Sequence, residues 1–102
     1  MEKLIILSDR CSIKEITSRS PSALELIRLW DKLDKQNRAS LAMFKILHKS
    51  GTEVKVYGFV RGNELIIYAI SALVKKVSED FVNDVLDEIR RKYKGSVKCL
   101  SG

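Results

Sequence analysis

The 102-residue sequence has few of the residues that small proteins use for chemistry and cross-linking: one proline, one histidine, one tryptophan, one glutamine and two cysteines. Two cysteines can neither frame a disulfide-rich scaffold nor complete an all-protein zinc site. The single histidine, His48, has no carboxylate or thiol at a set spacing, so no catalytic or metal-binding constellation is readable. No apolar run nears the ~20 residues a helix needs to span a bilayer. The longest, at 4–7 and 65–70, are strand-sized. The run after Lys3 is also too short for a signal-peptide core. What remains is 45% apolar and 31% charged, the composition of one packed domain rather than a disordered chain.

The net charge of +6 invites a nucleic-acid reading. Its distribution weakens that reading. Residues 1–42, 43–74 and 75–102 hold 8 basic and 6 acidic, 4 and 2, and 7 and 5 side chains, so each block carries +2. The one basic run, Arg90-Arg91-Lys92-Tyr93-Lys94, closes a segment that opens with Glu79 and Asp80. Acids at the start and bases at the end suit a helix dipole; a phosphate-binding patch is the other reading of the run.

Residues 3–7 read as a short buried strand because their apolar run is continuous. Residues 8–19 are polar and mixed, and read as a loop. Ser20-Pro21-Ser22 with Glu25 has helix-start chemistry and capping-box spacing. The apolar stripe Ala23, Leu26, Ile27, Trp30, Leu33, Leu41, Phe44 and Leu47 then predicts a helix over 22–49, either long or broken near Asn37. Ser50-Gly51 ends it, with Gly51 suited to a left-handed cap and His48 near the helix end. Residues 53–71 form the clearest feature, two alternating runs about a Gly62-Asn63 turn. That register sets Arg61 against Glu64, Phe59 against Ile66 and Tyr57 against Tyr68. Gly58 within the strand implies a bulge or a close backbone approach. Ser78 caps a second helix with Val82, Val85, Leu86, Ile89 and Tyr93 as its stripe, and a last strand spans 96–100.

The resulting order is β-α-β-β-α-β, and its halves echo each other. Lys3-Leu4-Ile5-Ile6-Leu7 resembles Glu64-Leu65-Ile66-Ile67-Tyr68, and Val54-Lys55-Val56 resembles Val97-Lys98-Cys99. The expected fold is a single α+β domain over 1–102 with pseudo-repeat halves of about 1–60 and 61–102. It is a ferredoxin-like, four-stranded antiparallel sheet with both helices on one face. Cys11 and Cys99 approach if the first and last strands pair, as buried thiols or as a disulfide.

One hairpin face is aliphatic and should meet the helices. The other carries Lys55, Tyr57, Phe59, Arg61 and Tyr68, the candidate binding residues. The segment from Lys55 to Gly62 resembles the RNA-recognition motif's basic-Gly-aromatic-Gly-aromatic-Val signature at Lys55, Tyr57, Gly58, Phe59 and Val60. That resemblance implies bases stacked on aromatics with cations on phosphates. It departs from the family at Val56 and Gly62, in lying on a predicted edge strand, and in lacking an aromatic on the first strand. An aromatic face beside an edge also suits a peptide or a second copy of the protein, as does a groove between the halves.

One glutamine with abundant Lys, Glu, Ile and Val is a heat-adapted composition. In length and character the chain resembles the small orphan proteins of hyperthermophilic archaea and their filamentous viruses. The sequence thus predicts a non-enzymatic binding module, without cofactor or metal, in the cytoplasm (the host's, if viral). A protein or peptide partner, a homodimer included, is the first expectation. RNA or single-stranded DNA on the same face is the second, and no membrane partner is expected.

Overall fold

The computed structural model describes residues 2–33 and 39–100. The elements are β1 (Lys3–Leu7), β2 (Ile13–Thr17), α1 (Ala23–Leu33), β3 (Ala39–Leu47), β4 (Glu53–Arg61), β5 (Glu64–Ala72), α2 (Glu79–Lys92) and β6 (Ser96–Cys99). All six strands join one sheet in the order β2-β1-β5-β4-β3, with β6 on β5. Every pairing is antiparallel except β5 with β6. β1 and β6 share one flank of β5, end to end: β1 pairs with residues 69–72 and β6 with residues 64–67.

This is an α+β architecture but not the ferredoxin-like, four-stranded sheet expected from the sequence. Residues 39–47 form a strand, not the second part of a long helix. Leu41, Phe44 and Leu47 fit a helical stripe, but the segment also alternates, and pairing with all nine residues of β4 decides for the strand. The predicted break at Asn37 lies outside the described residues. Residues 13–17, read as loop, pair with β1 as an edge strand. β4, expected at an edge, lies inside the sheet between β5 and β3. The half-boundary near residue 60 falls in the β4–β5 hairpin, and the two halves do not repeat.

Nor do the helices share a face. Leu4, Ile6, Phe59, Ile66 and Tyr68 pack with α1 through Leu26, Leu29 and Trp30. Ile5, Leu7, Val54, Val56, Leu65, Ile67 and Ile70 pack with α2 through Val82, Val85, Leu86 and Ile89. Successive strand residues point to opposite faces, so the sheet lies between the two helices.

Local chemistry is as the sequence implies. Ser22 Oγ accepts the Glu25 N–H at 3.1 Å and Ser78 Oγ accepts the Phe81 N–H at 3.1 Å, capping α1 and α2. Gly62 turns the two-residue hairpin at φ +63°. A Cβ on Gly58 would collide with the Ile66 carbonyl, and the β4–β5 register shifts there. Arg61 faces Glu64 and Phe59 faces Ile66, but Tyr57 faces Ala69, because Tyr68 is an extra residue in β5. The bulge turns both Tyr68 and Ala69 toward α1 and restores Ile70 and Ala72 to the α2 side.

Candidate functional site

The two helices are covered unequally. On α2, the stripe Val82, Val85, Leu86 and Ile89 is wholly buried. On α1 only Leu26 is. Ile27, expected in the core, is 51% exposed. β3 continues this exposed surface. Leu41 and Met43 stand opposite Phe59 and Tyr57, so they share the α1 face, and they are 51% and 59% exposed. Between them runs a groove of about 710 Å³, walled by Ala23, Ile27 and Trp30 of α1, Leu41 and Met43 of β3, and Tyr57 and Phe59 of β4. Among the described residues none of those lining it is charged. Trp30 fixes one wall by donating its Nε1–H to the Ala39 carbonyl at 2.8 Å.

The five predicted binding residues do not form one surface. Tyr57 is half-buried and lines the groove. Phe59 lines its floor with 0% of its surface open, sealed among Leu4, Leu26 and Ile66, so it cannot stack on a base. Tyr68, 8% exposed, lies beneath α1, where its hydroxyl donates to Glu25 Oε2 at 2.5 Å. Glu25 also pairs with Arg19 at 3.0 Å. Lys55 pairs with Glu2 at 3.6 Å and Arg61 with Glu64 at 3.0 Å. Glu2 is held below the usual carboxylate range by the Ser71 hydroxyl and then Lys55. Burial pushes Glu64 up, but its bonds to Lys98 and Arg61 outweigh it and hold it low. Both cations are thus engaged within the fold. In the basic run, Arg90 pairs with Asp87, and Arg91 and Lys92 both pair with Glu88.

The Tyr68 phenol is kept protonated well above the usual tyrosine range by burial and by its bond to Glu25. Its folded value lies above the unfolded value of about 10. The stabilisation is therefore whole below pH 10 and is lost as pH rises past it, by at most ~1.4 kcal/mol per pH unit. Tyr68→Phe should lose about 1–2 kcal/mol at pH 7 and show a flatter fall in urea-unfolding stability between pH 10 and 11.5 than the parent. Parallel pH profiles would refute this.

Sequence reasoning missed the surroundings of His48. It follows the last residue of β3 rather than closing a helix, and Gly51, at φ +91°, serves the β3–β4 turn. His48 Nε2 lies 3.2 Å from Asp84 Oδ2 on α2, while Nδ1 accepts the Ser50 N–H at 3.1 Å and lies 2.6 Å from Ser50 Oγ. Phe81 packs on the ring at 4.8 Å. The residues lie 36 positions apart, so no spacing pattern reveals the pair. The cluster ties the β3–β4 turn to α2, and the His48 hydrogen bond, then Lys49, holds Asp84 below its usual range. Among the described residues, no three His, Cys, Asp or Glu side chains gather where they could hold a metal ion. No helix among them is long and apolar enough to cross a membrane.

Cys11 and Cys99 form a disulfide, with Cα atoms 5.3 Å apart. The first and last strands do not pair side by side. They meet end to end on β5, and the bridge closes that junction. No family model, curated protein or solved structure matches the chain.

Proposed function

We propose that this protein is a non-enzymatic module for protein–protein contact, and that its working surface is the groove between α1 and β3. The observation that carries this reading is the uncharged, apolar groove left open beside a helix whose stripe is only half covered. Grooves of this kind accept apolar side chains of an extended or helical segment, and an adjoining strand edge adds main-chain hydrogen bonds. Nucleic acid fits the same face less well. Of the aromatic residues predicted to stack, Phe59 and Tyr68 are buried, and Lys55 and Arg61 are already paired with carboxylates. A cytoplasmic location, expected from the sequence, is compatible with the disulfide in the interior of a hyperthermophile, where such bonds persist.

Selection from a displayed random-peptide library is expected to enrich apolar peptides that bind the parent protein. Ile27→Asp, in the groove wall, should weaken them at least ~10-fold. Lys14→Glu on β2 should leave them unchanged. Failure to enrich any peptide, or binding indifferent to Ile27→Asp, would remove the reading. Labelled single-stranded RNA or DNA that bound and was released steeply by salt would favour nucleic acid instead.

A further inference from the structure

The cluster around His48 lies on the opposite side of the sheet from the groove. Phe44 and Ile46 turn toward α2, and His48, just past the end of β3, continues that alternation. The imidazole thereby reaches Asp84 on α2. Two backbone bonds of 2.8 Å close the β3–β4 turn, from the His48 N–H to the Thr52 carbonyl and from the Gly51 N–H to the His48 carbonyl. The turn folds Ser50 back onto the ring. The Ser50 N–H donates to His48 Nδ1, so Nδ1 is the acceptor and the ring proton sits on Nε2, facing Asp84 Oδ2 at 3.2 Å. Ser50 Oγ, 2.6 Å from that same Nδ1, therefore aims its proton at a base. Thr52 donates to Ser50 Oγ from its hydroxyl at 3.0 Å and from its N–H at 3.4 Å. Hydroxyl, imidazole and carboxylate stand in the donor–acceptor order of a nucleophile, its base and the group that orients the base. The ring is 9% exposed beneath Phe81, whereas Ser50 is open to solvent. Tying the turn to α2 needs only the His48–Asp84 bond, and the Lys49 ammonium adds a second tie to Asp84 at 3.3 Å. Neither accounts for a serine hydroxyl seated on the free ring nitrogen.

We infer that Ser50 is a nucleophilic serine, a modification site that accepts an acyl group from an activated carboxylic ester or thioester. The inference goes beyond the groove reading and stands or falls apart from it. Ser50 Oγ attacks the acyl carbon and forms the new C–O bond while its proton passes to His48 Nδ1. Asp84 holds the resulting imidazolium through Nε2–H. The bond from the acyl carbon to the leaving group then breaks, and the leaving group takes the proton from Nδ1. The class of donor follows from the nearby backbone. The Ser50 N–H is engaged by Nδ1, the Gly51 N–H by the His48 carbonyl, and the Thr52 N–H by Ser50 Oγ itself. No preorganised pair of these donors is left for an oxyanion, so the leaving group must depart readily, and the serine ester is slow to hydrolyse. Ser50 thus takes up an acyl group without turnover, in keeping with a non-enzymatic module.

Treating the whole protein with p-nitrophenyl acetate and mapping the adducts by peptide mass spectrometry should place an acetyl ester on Ser50. Hydroxylamine removes that ester and leaves amides on lysine intact. Ser8 and Ser12, whose hydroxyls meet each other at 3.3 Å, are internal references. Ser50 should react at least ~100-fold faster than either, the lower end of general-base assistance. Asp84→Asn should slow the reaction at Ser50 at least ~10-fold, and His48→Gln at least ~100-fold. The parent reaction should also run slower in D2O than in H2O, because a proton moves in the step, and a purely structural cluster gives no such difference. Circular dichroism checks that the variants fold. The Asp84 side chain is 33% exposed, so Asp84→Asn carries the test if loss of the buried imidazole unfolds the chain. An absence of ester on Ser50, equal rates at Ser50 and Ser12, or a rate unchanged in Asp84→Asn overturns the inference.

Discussion

Breaking the Cys11–Cys99 bridge is expected to lower the stability of this protein by about 4 kcal/mol. The bond closes a loop with a sequence separation of 88, and loop-closure entropy for ~90 residues amounts to roughly 4.5 kcal/mol. Native geometry supports a value near that figure, because the bridge spans a natural weak point. β6 has four residues and, among the described residues, pairs with β5 alone, and its end at Cys99 meets the β1–β2 turn where two part-length strands abut. Without the bond, β6 is free to fray from β5, and Leu100, now buried with Leu4 and Ile6, goes with it. For a domain of this size each kcal/mol moves the unfolding midpoint ~4–8 °C. Thermal unfolding with and without a phosphine reductant, alongside the Cys11→Ser/Cys99→Ser double variant, should therefore show a fall of roughly 15–30 °C. A difference below ~1 kcal/mol would show that the sheet junction holds itself together without the covalent link.

Phe59→Ala should cost nearly as much, about 3–5 kcal/mol. Phe59 has no exposed surface and is among the largest fully buried side chains. Its removal leaves a hole between Leu4, Leu26 and Ile66 that β4, hydrogen-bonded on both sides, cannot close. Tyr57, two residues away on the same face, is half-buried and touches the groove, so Tyr57→Ala should cost only ~1–2 kcal/mol. Urea unfolding of the two variants separates the roles. A loss below ~1 kcal/mol for Phe59→Ala would mean that the ring is not sealed and that the aromatic face is available to a ligand. A loss above 3 kcal/mol means that any binding defect of that variant reports on folding first.

Features that depend on a few neighbouring residues are legible in the sequence. Ser22 and Ser78 cap the helices because a hydroxyl reaches an N–H three residues on, whatever lies beyond. Gly62-Asn63 turns the hairpin, and Gly58 marks the register shift, because backbone geometry at those points excludes larger residues. The stripe of α2 is readable because everything it needs to bury is apolar and regularly spaced. The candidate site was half legible. Tyr57 and the interest of an outer strand were there to see, but the identity of that strand was not. Residues 39–47 satisfy helical and alternating patterns together, and no local signal chooses between them.

The sequence by itself determined the α+β character, the hairpin, both helix caps and the apolar stripe of α2, since each follows from chemistry within a dozen residues. Only the tertiary structure decided which face each side chain meets. One extra residue in β5, Tyr68, moves every later side chain of that strand to the opposite face. The pairing of residues 39–47 with β4 turned a presumed helix into the outer strand. Helices on both faces, instead of one, buried the ring-bearing surface and left a groove beside β3. These outcomes depend on partners distant in the chain, whose contacts outweigh local preference because burial and ladder hydrogen bonds are shared across the whole sheet.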